Sequence, residues 1–160
     1  MPTQVKEEQF ILSRDVSGIS ENDLAAATAD GSLQIVFEYP VPTGYSLVFG
    51  AEDTFSVYLE DDGVPAESLP ATKVDIVVMD SAKQNVRSLL NELRYGDIKE
   101  FEDVDKLAHL DISPGEQVIA REGERVCIRA NNTGGAIVTI DASECYFNLT
   151  CKLIRHTLFE

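Results

Sequence analysis

The sequence contains no tryptophan, two methionines, two histidines and three cysteines, and each scarcity removes a class of chemistry. Without tryptophan the strongest aromatic platform for stacking on sugars is missing. His109 and His156 stand far apart and neither forms an i, i+4 pair with a second ligand type, so surface or packing roles suit them better than metal ligation. Cys127, Cys145 and Cys151 make neither a ligand set nor an even disulfide framework. Cys145 and Cys151 fall on one expected strand, about 20 Å apart at roughly 3.3 Å per residue, which is beyond disulfide reach. Three reduced, packed thiols are the expectation. No apolar stretch approaches the roughly 18–20 residues of a membrane span, and Met1-Pro2-Thr3-Gln4-Val5-Lys6-Glu7-Glu8 lacks the apolar run of a signal peptide.

Cations are also scarce. Against 28 Asp and Glu stand 13 Lys and Arg, a net charge of −15 over 160 residues. A phosphate backbone or an anionic membrane must be met by clustered cations, so neither nucleic acid nor a membrane surface is expected as a partner. The acids run from Glu7 to Glu160 and do not gather in a tail. Dispersed like charge keeps a protein soluble where salt screens it, which fits a high-salt source and an ordinary acidic mesophile protein alike.

What the sequence does contain is a succession of short strands. With 44% hydrophobic and 26% charged residues, the chain can bury a core as one domain over 1–160, with 1–30 expected as an extended or partly helical N-terminal arm. In 143–155, Cys145, Phe147, Leu149, Cys151 and Leu153 alternate with Glu144, Asn148, Thr150 and Lys152, the period of a strand packed on one side. In 124–130, Val126, Ile128 and Ala130 are expected inward and Arg125, Cys127 and Arg129 outward. The turn-rich Asn131-Asn132-Thr133-Gly134-Gly135 leads to Ala136–Ile140, so the C-terminal third reads as an antiparallel meander.

Further strands are expected at 33–39, 45–49, 54–59 and 73–79, punctuated by Pro40–Gly44 and by the Asp61-Asp62-Gly63 turn. Val86, Leu89, Leu90 and Leu93 fall at helical spacing, leaving 86–95 open between a short helix and an edge strand. Ser20–Thr28 reads as a helix capped by Ser20, or as a loop. Eight to ten strands without regular βα alternation give an all-β fold, an antiparallel two-sheet sandwich, jelly-roll-like, with one or two short helices.

Catalytic motifs are absent from the sequence: there is no Gly-x-Ser-x-Gly, His-Glu-x-x-His, P-loop or dinucleotide fingerprint, and Cys127 has no evident base. No catalytic, cofactor-binding or metal residues are expected. Glu60-Asp61-Asp62-Gly63 and Glu100–Asp105 offer oxygens to Ca²⁺ without the spacing of a calcium loop, and read as solvated acidic turns. The sequons at Asn131 and Asn148 read as chance occurrences. Phe37, Tyr39, Tyr45, Phe49, Phe55 and Tyr58 are expected to stack in the core.

The segments Phe37–Phe49, Thr54–Leu59, Gly123–Gly135 and Ser143–Leu149 resemble the small β-sandwich structural proteins of viruses and tailed phages, most of all capsid or capsid-decorating proteins of viruses of halophilic archaea. The resemblance covers about a third of the chain. It implies a non-enzymatic virion protein without cofactors that builds or decorates an icosahedral capsid. Its implied partners are further copies of itself, as trimers or pentamers, and other capsid proteins. Two other readings stay open: a carbohydrate- or calcium-dependent adhesion module, and a cupin-type enzyme that would need clustered His and carboxylate ligands.

Overall fold

In a computed structural model of the chain, residues 3–23, 33–59, 72–94, 99–100, 106–131 and 142–158 are described. They form twelve strands and one turn of 3₁₀ helix, Ala142–Glu144. The strands are β1 (Thr3–Ser13), β2 (Ser20–Glu21), β3 (Gln34–Pro40), β4 (Tyr45–Gly50), β5 (Thr54–Tyr58), β6 (Lys73–Met79), β7 (Arg87–Arg94), β8 (Lys99–Glu100), β9 (Lys106–His109), β10 (Gln117–Ala120), β11 (Arg125–Ala130) and β12 (Tyr146–Leu158). They make two antiparallel sheets: seven strands with the path β10-β4-β12-β5-β9-β8 and β1 added on β12, and five strands in the order β2-β3-β11-β6-β7. Each sheet presents one apolar face, and the two faces close on each other as a jelly-roll-like sandwich.

Alternation decides which side chains fill the space between the sheets. From β12 come Phe147, Leu149 and Cys151, with Cys145 just before it; from β3 and β11 come Phe37, Tyr39, Val126 and Ile128. The Phe37 and Phe147 rings meet across the layer, 4.8 Å between centroids. Of the expected aromatics, Phe37, Tyr39, Phe49 and Phe55 are core residues, while Tyr45 and Tyr58 are only half-buried.

One open choice is settled and two expectations change. First, the stretch left open between a short helix and an edge strand holds the edge strand β7, Arg87–Arg94, and its helix-like spacing has a physical source. Ser88 faces Val77, Leu90 faces Ile76 and Leu93 faces Val74. Two bulges in this short ladder break period two, so the neighbours Leu89 and Leu90 are both fully buried and Leu93 also packs on the core. Second, the C-terminal third is no meander. β11 is paired on both edges, by β3 and β6, while β12 lies in the other sheet. A strand has two edges, so β11 has none left for Ala136–Ile140, which lies outside the described residues. Third, Ser20 caps no helix: with Glu21 it forms β2 and its hydroxyl donates to the Glu38 carbonyl. The rest of that segment, from Leu24 to Thr28, lies outside the described residues.

The seven-stranded sheet is organised by β12. β1 pairs with it from Asn148 to Leu158, so β4 and β5, which pair with Lys152–Arg155 and Tyr146–Leu149, both lie on its opposite edge. They are two halves of one line. Val48 faces Lys152 and Phe55 faces Leu149, so residues 49–54 stand against only Thr150 and Cys151. The surplus folds into a tight turn. The Asp53 amide donates to the Gly50 carbonyl at 3.1 Å, and the Asp53 carboxylate accepts from the Gly50 amide at 2.7 Å and from the Thr150 hydroxyl at 3.0 Å. Thr150 Oγ1 in turn accepts from the Thr54 amide at 2.9 Å.

Asp53 is buried with every contact hydrogen-bonded, which is the condition for a carboxylate to be tolerated there. Asp53→Ala strands the Gly50 amide without a partner and is expected to cost about 2–3 kcal/mol in urea unfolding, a fall of roughly 4–12 °C in Tm. A loss below about 0.5 kcal/mol would show that the turn holds without it.

Candidate interaction surface

The edges of the sandwich are closed by two arginines. Arg14, just after β1, donates to the carbonyls of Ser143 and Cys145 and to the Glu21 carboxylate, tying the β1 edge of one sheet to β2 of the other. At the other edge Arg87 of β7 donates to the Ile119 carbonyl of β10 at 2.8 Å and to the Glu124 carboxylate at 2.7 Å. A guanidinium suits this role because its planar fork reaches two acceptors at once without losing its charge.

The outer face of the five-stranded sheet is tiled by ion pairs: Arg125 with Glu38, Arg129 bidentate with Asp75, and Lys73 with Glu92. Beneath the arginine stems lie Val77, Met79 and Cys127, with Ile35 beside them. Cys127 is therefore on the outward side, as its alternation requires, yet fully buried, because long charged side chains cover apolar surface with their methylenes.

The outer face of the seven-stranded sheet differs. Tyr58 and Tyr146 face each other across β5 and β12 and stack at 5.3 Å, with Tyr146 52% exposed, and Ile11 is 57% exposed on the same face. Toward the end where β4 begins and β10 ends, Val48, Ile119 and Ile154 floor a cavity of about 380 Å³. Ser46 and His156, hydrogen-bonded at 3.3 Å, and Arg121 border it. Gly44 shapes the mouth. Its φ of +84° is the left-handed region that glycine enters freely, its carbonyl accepts from the His156 amide, and its own amide donates to Glu122.

None of these groups came forward from motif searching. The available signal was continuity: Leu47-Val48-Phe49 and Leu153-Ile154 are apolar on both sides of a strand, where a strand solvated on one face would alternate.

The other candidates are dispersed. His109 is exposed on β9 opposite Thr54, in the other half of the sheet from His156. Asn131 is 2% exposed, its side-chain oxygen accepting from the Lys73 amide, so its sequon is sealed; Asn148 lies exposed on β12. Glu60–Gly63 and residues 101–105 lie outside the described residues. Among the described residues no three His, Cys, Asp or Glu side chains gather as a metal site, and no helix is long and apolar enough to cross a membrane.

All three cysteines are buried and unbridged. Desolvation pushes the Cys127 thiol up to about 11 although Arg125, Arg129 and Lys83 pull the other way, and the Cys151 thiol up to about 12. Burial outweighs the neighbouring cations, the opposite of what a nucleophilic thiol needs.

No family model matches the chain, and no curated protein matches its sequence. Solved structures do. VP17, a capsid protein of bacteriophage P23-77, superposes over 99% of this chain and 100% of its own, with a TM-score of 0.60 and 9% identity. At that identity the likeness is one of fold. Desmodium yellow mottle tymovirus (TM-score 0.32, 7% identity, 100% of this chain and 91% of the other) and turnip yellow mosaic virus (0.30, 8%, 100% and 85%) overlay more loosely.

The thiols give a pH dependence. In the unfolded chain they ionise near 9.0, whereas in the fold they stay protonated to about 11 and 12. Above pH 9 the unfolded state therefore holds fewer protons than the folded one. Stability is full below that pH and is expected to fall toward pH 11 by up to about 1.4 kcal/mol per pH unit for each thiol. Urea titrations at pH 8, 9.5 and 10.5 measure the slope, and Cys127→Ala should roughly halve it, leaving the contribution of Cys151.

Proposed function

We propose that this chain is a non-enzymatic structural protein of a virion, one that builds or decorates an icosahedral capsid through contacts between copies. The observation that carries the reading is the superposition on a capsid protein over 99% of this chain and 100% of the other. The sandwich supports it physically. Its core is continuous, its sheet edges are clamped by Arg14 and Arg87, and one outer face keeps exposed aromatic and aliphatic groups. A shell subunit needs a rigid body and complementary patches, and closed rings such as trimers or pentamers are the ordinary symmetric solution.

With a net charge of −15, the surface repels nucleic acid and anionic membranes, and its partners in this reading are its own copies and other capsid proteins on the particle surface. The same charge favours a saline setting, where screening relieves repulsion within and between subunits.

Native mass spectrometry of the purified protein should show a closed oligomer, and the chain should appear in the protein complement of purified particles. The melting temperature should rise between low and molar NaCl. A protein that is monomeric at every salt concentration and absent from particles would overturn the structural role; a flat or falling melting temperature removes only the saline part. Binding on a glycan array, or a melting temperature lowered by EDTA, would favour an adhesion module instead.

A further inference from the structure

A strand at the edge of a sheet offers unpaired amides and carbonyls to any other strand, and proteins keep such edges short, bulged or interrupted by proline. Among the described residues most edges of this sandwich follow that rule. β2 and β8 have two residues each and β10 has four, and β7 is broken by two bulges. β1 is the exception. It runs eleven residues with no proline, no glycine and no shift of register against β12, and β12 is its only partner among the described residues. Lys6, Glu7, Glu8 and Gln9 are exposed.

Which backbone groups stand free follows from the ladder. The His156 amide donates across the other edge of β12 to the Gly44 carbonyl, so the even-numbered residues of β12 direct their backbone groups away from β1. Each faces an odd-numbered residue of β1, and residues opposed in an antiparallel ladder either bond to each other or both turn away. The amides and carbonyls of Glu7, Gln9 and Ile11 therefore point to the open edge.

Lys6 and Glu8 alternate with these residues, and their side chains share one face of β1. Neither has an ion-pair partner among the described residues, and Lys6 stands opposite Arg155, a neighbour of like charge. Lys6-Glu7-Glu8 is self-complementary when the strand meets an antiparallel copy of itself centred on Glu7, because each Lys6 then faces Glu8 of the other copy. These are non-hydrogen-bonded positions, where opposed side chains come closest. The two Glu7 carboxylates at the centre are each neutralised within their own chain, 3.0 Å from Lys152 Nζ.

We propose that two copies of the chain join edge to edge through β1, antiparallel and centred on Glu7, so that their seven-stranded sheets become one continuous sheet across a two-fold axis. The inference rests on the multi-copy reading above and names its contact strand. Backbone bonds between Glu7 and Glu7, and between Gln9 and Val5, supply the attraction, and the two Lys6–Glu8 pairs fix the register. Sliding the strands by two residues in either direction sets Lys6 against Lys6 or Glu8 against Glu8. The contact is isologous, with the same patch used by both copies.

Lys6→Glu and Glu8→Lys, made singly in the full chain, each place like charges at both contacts. Sedimentation velocity over a concentration series should show self-association weakened roughly tenfold or more in each, with melting temperature and circular dichroism retained. An equimolar mixture of the two variants restores opposite charges at both contacts, so it should recover the association of the wild type, and native mass spectrometry should show mixed dimers dominating. In the wild type, amide hydrogen exchange over residues 6–11 should slow as concentration rises. If the single variants associate like the wild type, if their mixture recovers nothing, or if exchange in β1 is unmoved while the wild type self-associates, β1 does not pair in this way and the multi-copy reading survives. If the wild type stays monomeric at every concentration, both fall.

Discussion

The hydrogen bond between Thr150 and Asp53 sets the frame for the rest of the molecule. β12 is paired along both edges, and on one of them the partner line carries four more residues than the register can seat. Without a local sink for that surplus, either β4 or β5 would lose its alternation, and a slip of one residue would turn Phe49 or Phe55 out of the core. The Asp53 carboxylate gathers the extra residues into a turn by holding the Gly50 amide and the Thr150 hydroxyl, while its carbonyl takes the Leu110 amide from beyond β9. One buried carboxylate thereby keeps two half-strands in phase with β12 and anchors the next line of the sheet.

The all-β sandwich was legible because its strongest elements obey period two. Phe147, Leu149 and Cys151 on β12 and Val126 and Ile128 on β11 point inward as their alternation requires. Legibility failed where the backbone departs from the ladder. The bulges of β7 convert Leu89, Leu90 and Leu93 into a helix-like series, and no rule of spacing distinguishes a twice-bulged edge strand from a short helix. Pairing partners were equally hidden. Adjacent strands in sequence usually neighbour each other, but here β11 and β12 belong to different sheets, and β4 and β5 pair with β12 and not with each other.

The candidate surface was less visible still, because it has no motif. Val48, Ile119 and Ile154 come from three strands whose order in the sheet, β10-β4-β12, bears no relation to their order in the chain. Cys127 shows the converse. It was expected on an outward face and is there, but outward did not mean solvated: Arg125 and Arg129 cover it, and desolvation governs its thiol.

The two outer faces differ in how their charges are partnered. On the five-stranded sheet nearly every charge has a partner in the same chain, so docking there would have to break Arg125–Glu38 and Arg129–Asp75 or bury them intact, and burying ion pairs seldom gains more than their desolvation costs. The seven-stranded sheet carries exposed Ile11 and Tyr146 and an open apolar cavity bordered by Arg121 and Glu122. Removing Ile11, the Tyr146 ring and the cavity floor from water is favourable, whereas the charged groups around them keep a cost of desolvation. The two sheets share one core, yet one outer face carries its charges in pairs while the other leaves apolar groups in water.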